Sequence, residues 1–363
     1  MKQNSDSIIY DIAIIGLGPS GATLARLLSS KLKVVAIDKG NGTPQGFIKP
    51  CGGLLAPDAQ KILAQLNLTL PKNILVDPQL FSVRTIDTRL KIIRHYQRFY
   101  INLDRLKFDN WLRSLISPSV DIFNESLCES IEKIESGFKL TIISNNQKSI
   151  IFAKQIVGAD GANSIVRRTF FPKHKIKKYL AIQEWFTDTH AVPFYSCIFD
   201  TETTDTYAWG LSKENHFVFG GAFEIKNARK DFELLKEKMI TLGFELNNPT
   251  KTEACLLLKP MGLKNFCCGE DGVFLVGESA GFISPSSFEG ISYALESASL
   301  LANVFNSSTK KPLKAYKKST RKLRKKLIIK SLKSRIIYSA FLRKVILKSG
   351  IRNISTEKIQ KYK

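Results

Sequence analysis

Apolar positions along this chain fall into stretches of two different periods. Ile8, Ile9, Ile12, Ala13, Ile14 and Ile15 make an apolar run, Leu24, Leu27 and Leu28 recur at helical spacing, and residues 34–37 form a second apolar run ending on Asp38. This predicts strand, helix, strand. Gly-Pro density forbids a regular element over about 39–55, and Pro57-Asp58 suit the start of a helix at 59–66. Alternation over 79–102 reads as strands, and a helix follows over 104–115. Short strands are expected at 120–124, 128–135, 138–143, 149–157, 179–186, 195–199, 206–211 and 216–223. Phe232, Leu235, Met239 and Leu242 stripe a helix over 228–242. A buried strand at 271–277 precedes a long helix reaching Asn306, and two basic helices are expected at 313–325 and 326–348.

Three of these elements end in glycine-and-acid corners. Between the first strand and helix stands Gly16-Leu17-Gly18-Pro19-Ser20-Gly21. In G-x-G-x-x-G the first glycine permits the tight turn, the second admits a pyrophosphate, and the third lets helix and strand approach. The helix N-terminus offers N–H groups and a positive dipole end to phosphate. Asp38 then stands where a carboxylate can accept from both ribose hydroxyls, with Lys39 beside it. The second corner is Gly158-Ala159-Asp160-Gly161, with Ser164 as a helix cap; the third is Gly277-Glu278-Ser279-Ala280-Gly281. Three such corners imply one extended ligand touched at three places. Gly290 and Ile291 open the long helix and offer N–H groups to something electron-rich. Cys51-Gly52-Gly53 lets backbone run close to a flat ligand while presenting a thiol. Arg105 stands near a helix start, ready to meet an anionic cofactor or to pair with Asp109 at i,i+4 spacing.

Composition narrows the class. The 363 residues are 44% hydrophobic, with no apolar run long enough to span a bilayer. The N-terminal MKQNSDS lacks an apolar leader core, so a cytoplasmic protein is expected. Six cysteines show no C-x-x-C pair and no metal-ligand spacing, so neither a disulfide framework nor a metal is expected. The net charge of +23 is concentrated: from Lys310 onward there are 20 Lys/Arg and one acid, so the tail carries +19. Nucleic-acid binding is disfavoured because no aromatic stacking pattern accompanies the basic tail. The basic tail 310–363 either lies as a helix on an anionic membrane surface, making the protein peripheral on the inner face of the membrane, or packs its apolar residues on the body and leaves its cations solvated.

With those corners in hand, the chain resembles the geranylgeranyl reductase family of flavoproteins, within the group sharing the p-hydroxybenzoate hydroxylase fold. The resemblance covers residues 8–310. It rests on Gly16–Gly21 with Asp38, on GADGANSIVR (158–167), and on GESAG (277–281), where Glu278 replaces an aspartate. KPCGG (49–53), YAWGLS (207–212) in place of YxWxFP, and SPSSFEGISYAL (284–295) point to the reductases. The implied architecture is α/β: a Rossmann-type FAD-binding domain (1–78, 100–175, 262–309) interleaved with a mixed or antiparallel β-sheet substrate domain (79–99, 176–261), plus a basic helical tail (310–363). FAD is the implied cofactor. Its site would comprise Gly16, Gly18, Pro19, Ser20, Gly21, Asp38, Lys39, Cys51, Gly52, Gly53, Arg105, Asp160, Gly277, Glu278, Gly290 and Ile291.

The implied reaction is reduction of carbon–carbon double bonds in a prenyl or other hydrophobic lipid by hydride from the reduced flavin. The ring is expected between Cys51–Gly53 and the Gly290–Ile291 helix start. Cys51, Tyr207 and Trp209 are the candidate catalytic and pocket residues. Only one G-x-G-x-x-G is present, so NAD(P)H docks transiently or another protein delivers electrons. The alternatives are an FAD-dependent monooxygenase of an aromatic or hydrophobic substrate, and a flavin-binding regulator without turnover. The WxWxIP pattern of halogenases is absent.

Overall fold

In the computed structural model, residues 9–40, 49–187, 194–350 and 353–354 are described. The first residues (1–8) and part of the Gly-Pro loop (41–48) lie outside them. Along the chain run β1 (Ile9–Ile15), α1 (Pro19–Leu27), β2 (Val34–Ile37), β3 (Leu54–Leu55), α2 (Pro57–Gln65), β4 (Leu80–Asp87), β5 (Ile92–Asn102) and α3 (Arg105–Ser114). Next come β6 (Val120–Phe123), β7 (Ser126–Ile134), β8 (Gly137–Ser144), β9 (Gln147–Gly158), α4 (Ile165–Phe170), β10 (Lys177–Thr187), β11 (Phe194–Phe199), β12 (Ala208–Lys213) and β13 (His216–Glu224). The last third holds α5 (Ala228–Thr241), β14 (Lys251–Lys259), β15 (Gly269–Glu270), β16 (Val273–Leu275), α6 (Ile291–Asn306), α7 (Pro312–Ser319), α8 (Arg321–Tyr338) and α9 (Ala340–Ser349). The strand β14 had no counterpart in the sequence reading. The tail also breaks differently, into three helices with interruptions at Thr320 and Ser339.

These elements build two units, each drawn from three separate segments: 1–48, 106–176 and 258–329; then 49–105, 177–257 and 330–363. The division differs from the sequence expectation: residues 49–78, with Cys51–Gly53, and 100–105, with Arg105, belong to the second unit, 258–261 belong to the first, and the tail is divided between both.

The first unit carries a sheet ordered β15-β16-β9-β1-β2-β6, with β7 and β8 continuing from β9. β16, β9, β1, β2 and β6 run parallel. Such strands are buried on both faces, which is why Ile12, Ala13, Ile14, Val35 and Ala36 are continuous apolar positions with almost no exposure. α1 packs on α6, and Asn306 closes that pairing: its Oδ1 accepts from Ser29 N at 2.9 Å and its Nδ2 donates to Leu27 O at 2.8 Å. Tyr316 of α7 and Leu323 and Leu327 of α8 belong to this core, and Tyr316 donates its hydroxyl to Leu275 O at 3.0 Å.

The second unit carries an eight-stranded sheet ordered β14-β10-β13-β12-β11-β4-β5-β3. α5 covers one face, where Phe232, Leu235 and Met239 meet Ile182, Ala208, Phe219 and Phe223. Period-2 alternation then puts Trp209, Leu211 and Lys213 on the opposite face. α9 is tied to β4 by the ion pair of Arg343 Nε with Asp87 Oδ2 at 2.6 Å, both side chains buried. Arg94 Nε donates to Leu347 O at 3.0 Å, adding a tie to β5. Among the described residues no helix is long and apolar enough to cross a membrane, and no disulfide joins any of the six cysteines.

Candidate functional site

The three corners of the first unit leave adjacent parallel strands at one level. Ile15 pairs with Gly158, and Gly158 pairs with Leu275, so β1, β9 and β16 end side by side. β1 lies between β9 and β2, where successive connections depart in opposite directions; in open α/β sheets that crevice at the carboxyl ends takes ligands.

Glycine is required here by contact as well as by dihedral angle. Gly16 has φ +95°, and a Cβ on it would stand 2.8 Å from Ala159 O. A Cβ on Gly21 would collide with the Gly16 carbonyl. Gly18 is different: among the described residues, its chain neighbours aside, no atom lies within 4 Å of where its Cβ would be. It caps α1 without a side-chain hydrogen bond, and Pro19 takes the first helical position, while Ser20 is buried. The corner therefore fits a dinucleotide phosphate, with open space over Gly18 at a positive helix end.

Asp38 is more occupied than expected. Its Oδ2 accepts from Leu17 N at 2.6 Å, its Oδ1 accepts from Gly40 N at 2.9 Å, and Arg113 Nη2 lies 2.5 Å from Oδ1. Two of the roughly four acceptor positions of a carboxylate are thus used by backbone N–H groups, with the Arg113 guanidinium against Oδ1, leaving acceptor capacity for a ribose hydroxyl. Arg113 also donates from Nε to Leu17 O at 3.1 Å, so this arginine braces the G-x-G turn and the acid together. Sequence reasoning passed over Arg113; Arg105 heads the same helix, whose later face is the one that reaches Asp38. Lys39 is exposed.

At the second corner Asp160 caps α4: its Oδ2 accepts from Ile165 N at 2.6 Å and Val166 N at 3.4 Å. Oδ1 is buried without a hydrogen-bond partner, and burial raises the carboxyl above its ordinary range. At the third corner Glu278 is buried, and its Oε1 accepts from Leu258 N at 2.9 Å. The extra methylene of glutamate sends this carboxylate to the end of β14.

Arg167, also absent from the sequence-derived site, joins the two corners. Its guanidinium is buried and donates to Ser279 O at 2.7 Å, to Glu278 O at 3.4 Å and to Ala162 O. Burial pulls its pKa down, against the opposing pull of Asp160 and Glu278. Ser279 Oγ donates to Gly158 O at 2.5 Å, and Gly277 N donates to Ser297 Oγ at 2.8 Å.

Gly290 caps α6 as expected, but Glu289 has already engaged the first turn. Its Oε1 accepts from Ser292 N and its Oε2 from the Ser292 hydroxyl, each at 2.7 Å. Part of the donor potential of that helix start is therefore spent on the chain's own carboxylate.

In the second unit Cys51–Gly53 folds onto the end of β5. Gly53 N donates to Cys51 Sγ at 3.4 Å, Leu103 N donates to Gly53 O at 2.9 Å, and Gly53 has φ +65°. Beneath the loop lies Lys213, 5% exposed, its Nζ donating to Asn102 Oδ1 at 2.8 Å and Leu103 O at 2.6 Å. A Cβ on Gly53 would come within 2.7 Å of that amine. Burial pushes the Lys213 amine down to about 8, against the upward pull of Cys51, Asp104 and Glu214. Lys213 continues the alternation of Trp209 and Leu211, and that period was the clue available in the sequence.

Tyr207 and Trp209 are buried with ring centroids 5.9 Å apart. Burial raises the Tyr207 hydroxyl far above its ordinary range, so it stays protonated. Trp209 pairs with Cys197 and with Gly220, whose missing side chain makes room for the indole. Trp209 Nε1 and Gln183 Oε1, both flanking Gly220, are buried without hydrogen-bond partners among the described residues. This face thus presents one unused donor and one unused acceptor amid aromatic surface. Among the described residues no group of three or more His, Cys, Asp or Glu is placed to hold a metal.

No protein-family model matches the chain. Protein CbrA of Escherichia coli (strain HS) is 49% identical over 347 residues, 95% of this chain and 94% of its own. Protein CbrA of Shigella sonnei is likewise 49% identical, over 95% of this chain and 98% of its own. Among solved structures, a geranylgeranyl bacteriochlorophyll reductase-like protein from Thermoplasma acidophilum superposes with TM-score 0.79 at 19% identity, covering 91% of this chain and 88% of its own. PqsL, a probable FAD-dependent monooxygenase from Pseudomonas aeruginosa, gives TM-score 0.68 at 14% identity over 92% and 97%. Corners, interleaved sheets and sequence identity together place the chain: it belongs to the CbrA family, on a p-hydroxybenzoate hydroxylase-like fold.

Proposed function

We propose that this protein is an FAD-dependent oxidoreductase that reduces carbon–carbon double bonds of a hydrophobic, prenyl-type lipid. The observation that carries the cofactor assignment is the alignment of three glycine-acid corners on adjacent parallel strands, with open space over Gly18. Gly16–Gly21 and the α1 N-terminus would hold the pyrophosphate, and the remaining acceptor capacity of Asp38 a ribose hydroxyl. FAD held there, once reduced by NAD(P)H or a protein electron donor, would supply a hydride for transfer to carbon. Cys51 is the candidate to shape the reacting end or to donate the proton that completes the reduction. Lys213 holds the loop carrying Cys51 through Leu103 O, and Tyr207 and Trp209 supply apolar walls that exclude water. The fold of the Thermoplasma acidophilum reductase-like protein and the aromatic face of the second sheet support the reductase reading.

The test is direct. Purified protein should carry yellow flavin near stoichiometry, and the anaerobically reduced, bleached protein should turn yellow again on adding a prenyl lipid, which gains two hydrogens per double bond. A preparation that stays colourless when offered FAD refutes the cofactor assignment. Substrate-dependent oxygen consumption with hydroxylated product would instead support the monooxygenase reading, which the PqsL likeness favours. Cys51→Ala should retain flavin and lose turnover.

A further inference from the structure

The last helices bury Leu323, Leu327 and Leu347 yet leave other large apolar side chains in the open. α8 turns Ser331 and Ser334 inward while Leu332 is 55% and Ile336 42% exposed. Five cations are exposed on the same helix, and three of them are Lys322, Lys325 and Lys333. At about 100° per residue these three fall in one sector with Leu332 and Ile336. α9 repeats the pattern with clearer sectors. Phe341 (73% exposed), Leu342, Val345 (57% exposed) and Ile346 cover about 140° of its circumference. The buried pair Arg343 and Leu347 comes next, then the exposed cations Lys344 and Lys348. α9 is therefore moored by a narrow strip, through the Arg343–Asp87 ion pair, and leaves both its apolar and its cationic sectors uncovered.

We propose that α8 and α9 form a docking surface for an anionic lipid bilayer, into which Leu332, Ile336, Phe341, Leu342, Val345 and Ile346 insert. A helix with aliphatic and aromatic side chains beside lysines matches the acyl boundary and anionic headgroups at once. A second copy fits less well, because each tail carries +19 and the two surfaces would repel. Nucleic acid would use the cations and leave the apolar sector in water. The end of α8 lies over the second sheet, the Tyr338 ring standing 6.1 Å from Phe199. Docking through these helices brings that aromatic face to the membrane.

The test uses the full chain with vesicles of phosphatidylcholine alone, and of phosphatidylcholine and phosphatidylglycerol in equal parts. Because Tyr316, Leu323 and Leu327 are core residues, point variants replace any deletion of the tail. The unaltered chain should co-sediment with the anionic vesicles only, and less so as salt rises. K344E/K348E should weaken that binding by about fivefold per cation, and F341S/V345S/I346S by tenfold or more, both with unchanged circular dichroism. Equal binding to both vesicles, absence of sedimentation, or variants that bind like the parent overturns the proposal. So does a concentration-dependent dimer lost in F341S/V345S/I346S, which would make the face a seat for a second copy. No turnover is measured, so failure here leaves the reductase reading untouched.

Discussion

Lys213→Met should change how stability depends on pH. In the folded chain burial holds the amine near 8, whereas an unfolded lysine keeps its proton to about 10.5. Between those values the unfolded state binds more protons, so stability rises with pH; it is lost again as pH falls through 8. At 1.36 kcal/mol per pH unit the full difference is worth about 3 kcal/mol. Methionine keeps the apolar stem but leaves Asn102 Oδ1 and Leu103 O without their amine donor, at roughly 1–3 kcal/mol each. At pH 7 that loss is largely offset by removing a buried charge. At pH 10 the wild-type amine is neutral and still donates, so the offset vanishes. The stability gap between wild type and variant should therefore widen by about 2.5 kcal/mol from pH 7 to pH 10. Urea unfolding of both proteins, followed through Trp185 and Trp209 of the same unit, reads the gap, and other titrating groups cancel in the difference. A gap that stays constant across that range refutes the buried-lysine account.

Gly18→Ala should fold with unchanged stability yet bind FAD at least tenfold more weakly by flavin fluorescence titration, because its Cβ enters only ligand space. Gly21→Ala should lower the melting temperature in the absence of any ligand, because its Cβ meets the Gly16 carbonyl. Arg167→Met strands the carbonyls of Ala162, Glu278 and Ser279; a loss of about 3–5 kcal/mol in urea unfolding is expected, and a loss under 1 would count against its bracing role. Trp209→Phe removes an indole N–H that no atom of the described residues accepts, so stability should hold within about 1 kcal/mol while KM for the lipid changes.

What the sequence disclosed was local chemistry. The βαβ unit of 9–37 was legible because glycines, a proline at the first helical position and an acid mark its turns within 22 residues. The three corners were legible separately. Their meeting was not, since the pairing of Ile15 with Gly158 and of Gly158 with Leu275 joins segments more than a hundred residues apart. Arg113 and Arg167 went unnoticed because an arginine in a helix gives no local sign that its guanidinium turns inward. The destination of the Glu278 carboxylate depends on where Leu258 N lies, which only the tertiary structure sets. β14 was missed because three consecutive leucines interrupt its alternation. In the tail, helical spacing was visible, but the outward turn of Leu332, Phe341 and Val345 reversed the usual reading of an apolar stripe.

The threading of the chain through both units bears on how the protein is made. A ribosome releases about 5–20 residues per second, and contiguous domains can fold as they emerge. Here β9 lacks its neighbour β16 until residue 275 has been synthesised, and β4 awaits Arg343. Both half-built sheets must then wait tens of seconds with apolar edges uncovered, so the nascent chain should be a heavier client of chaperones than its length alone implies.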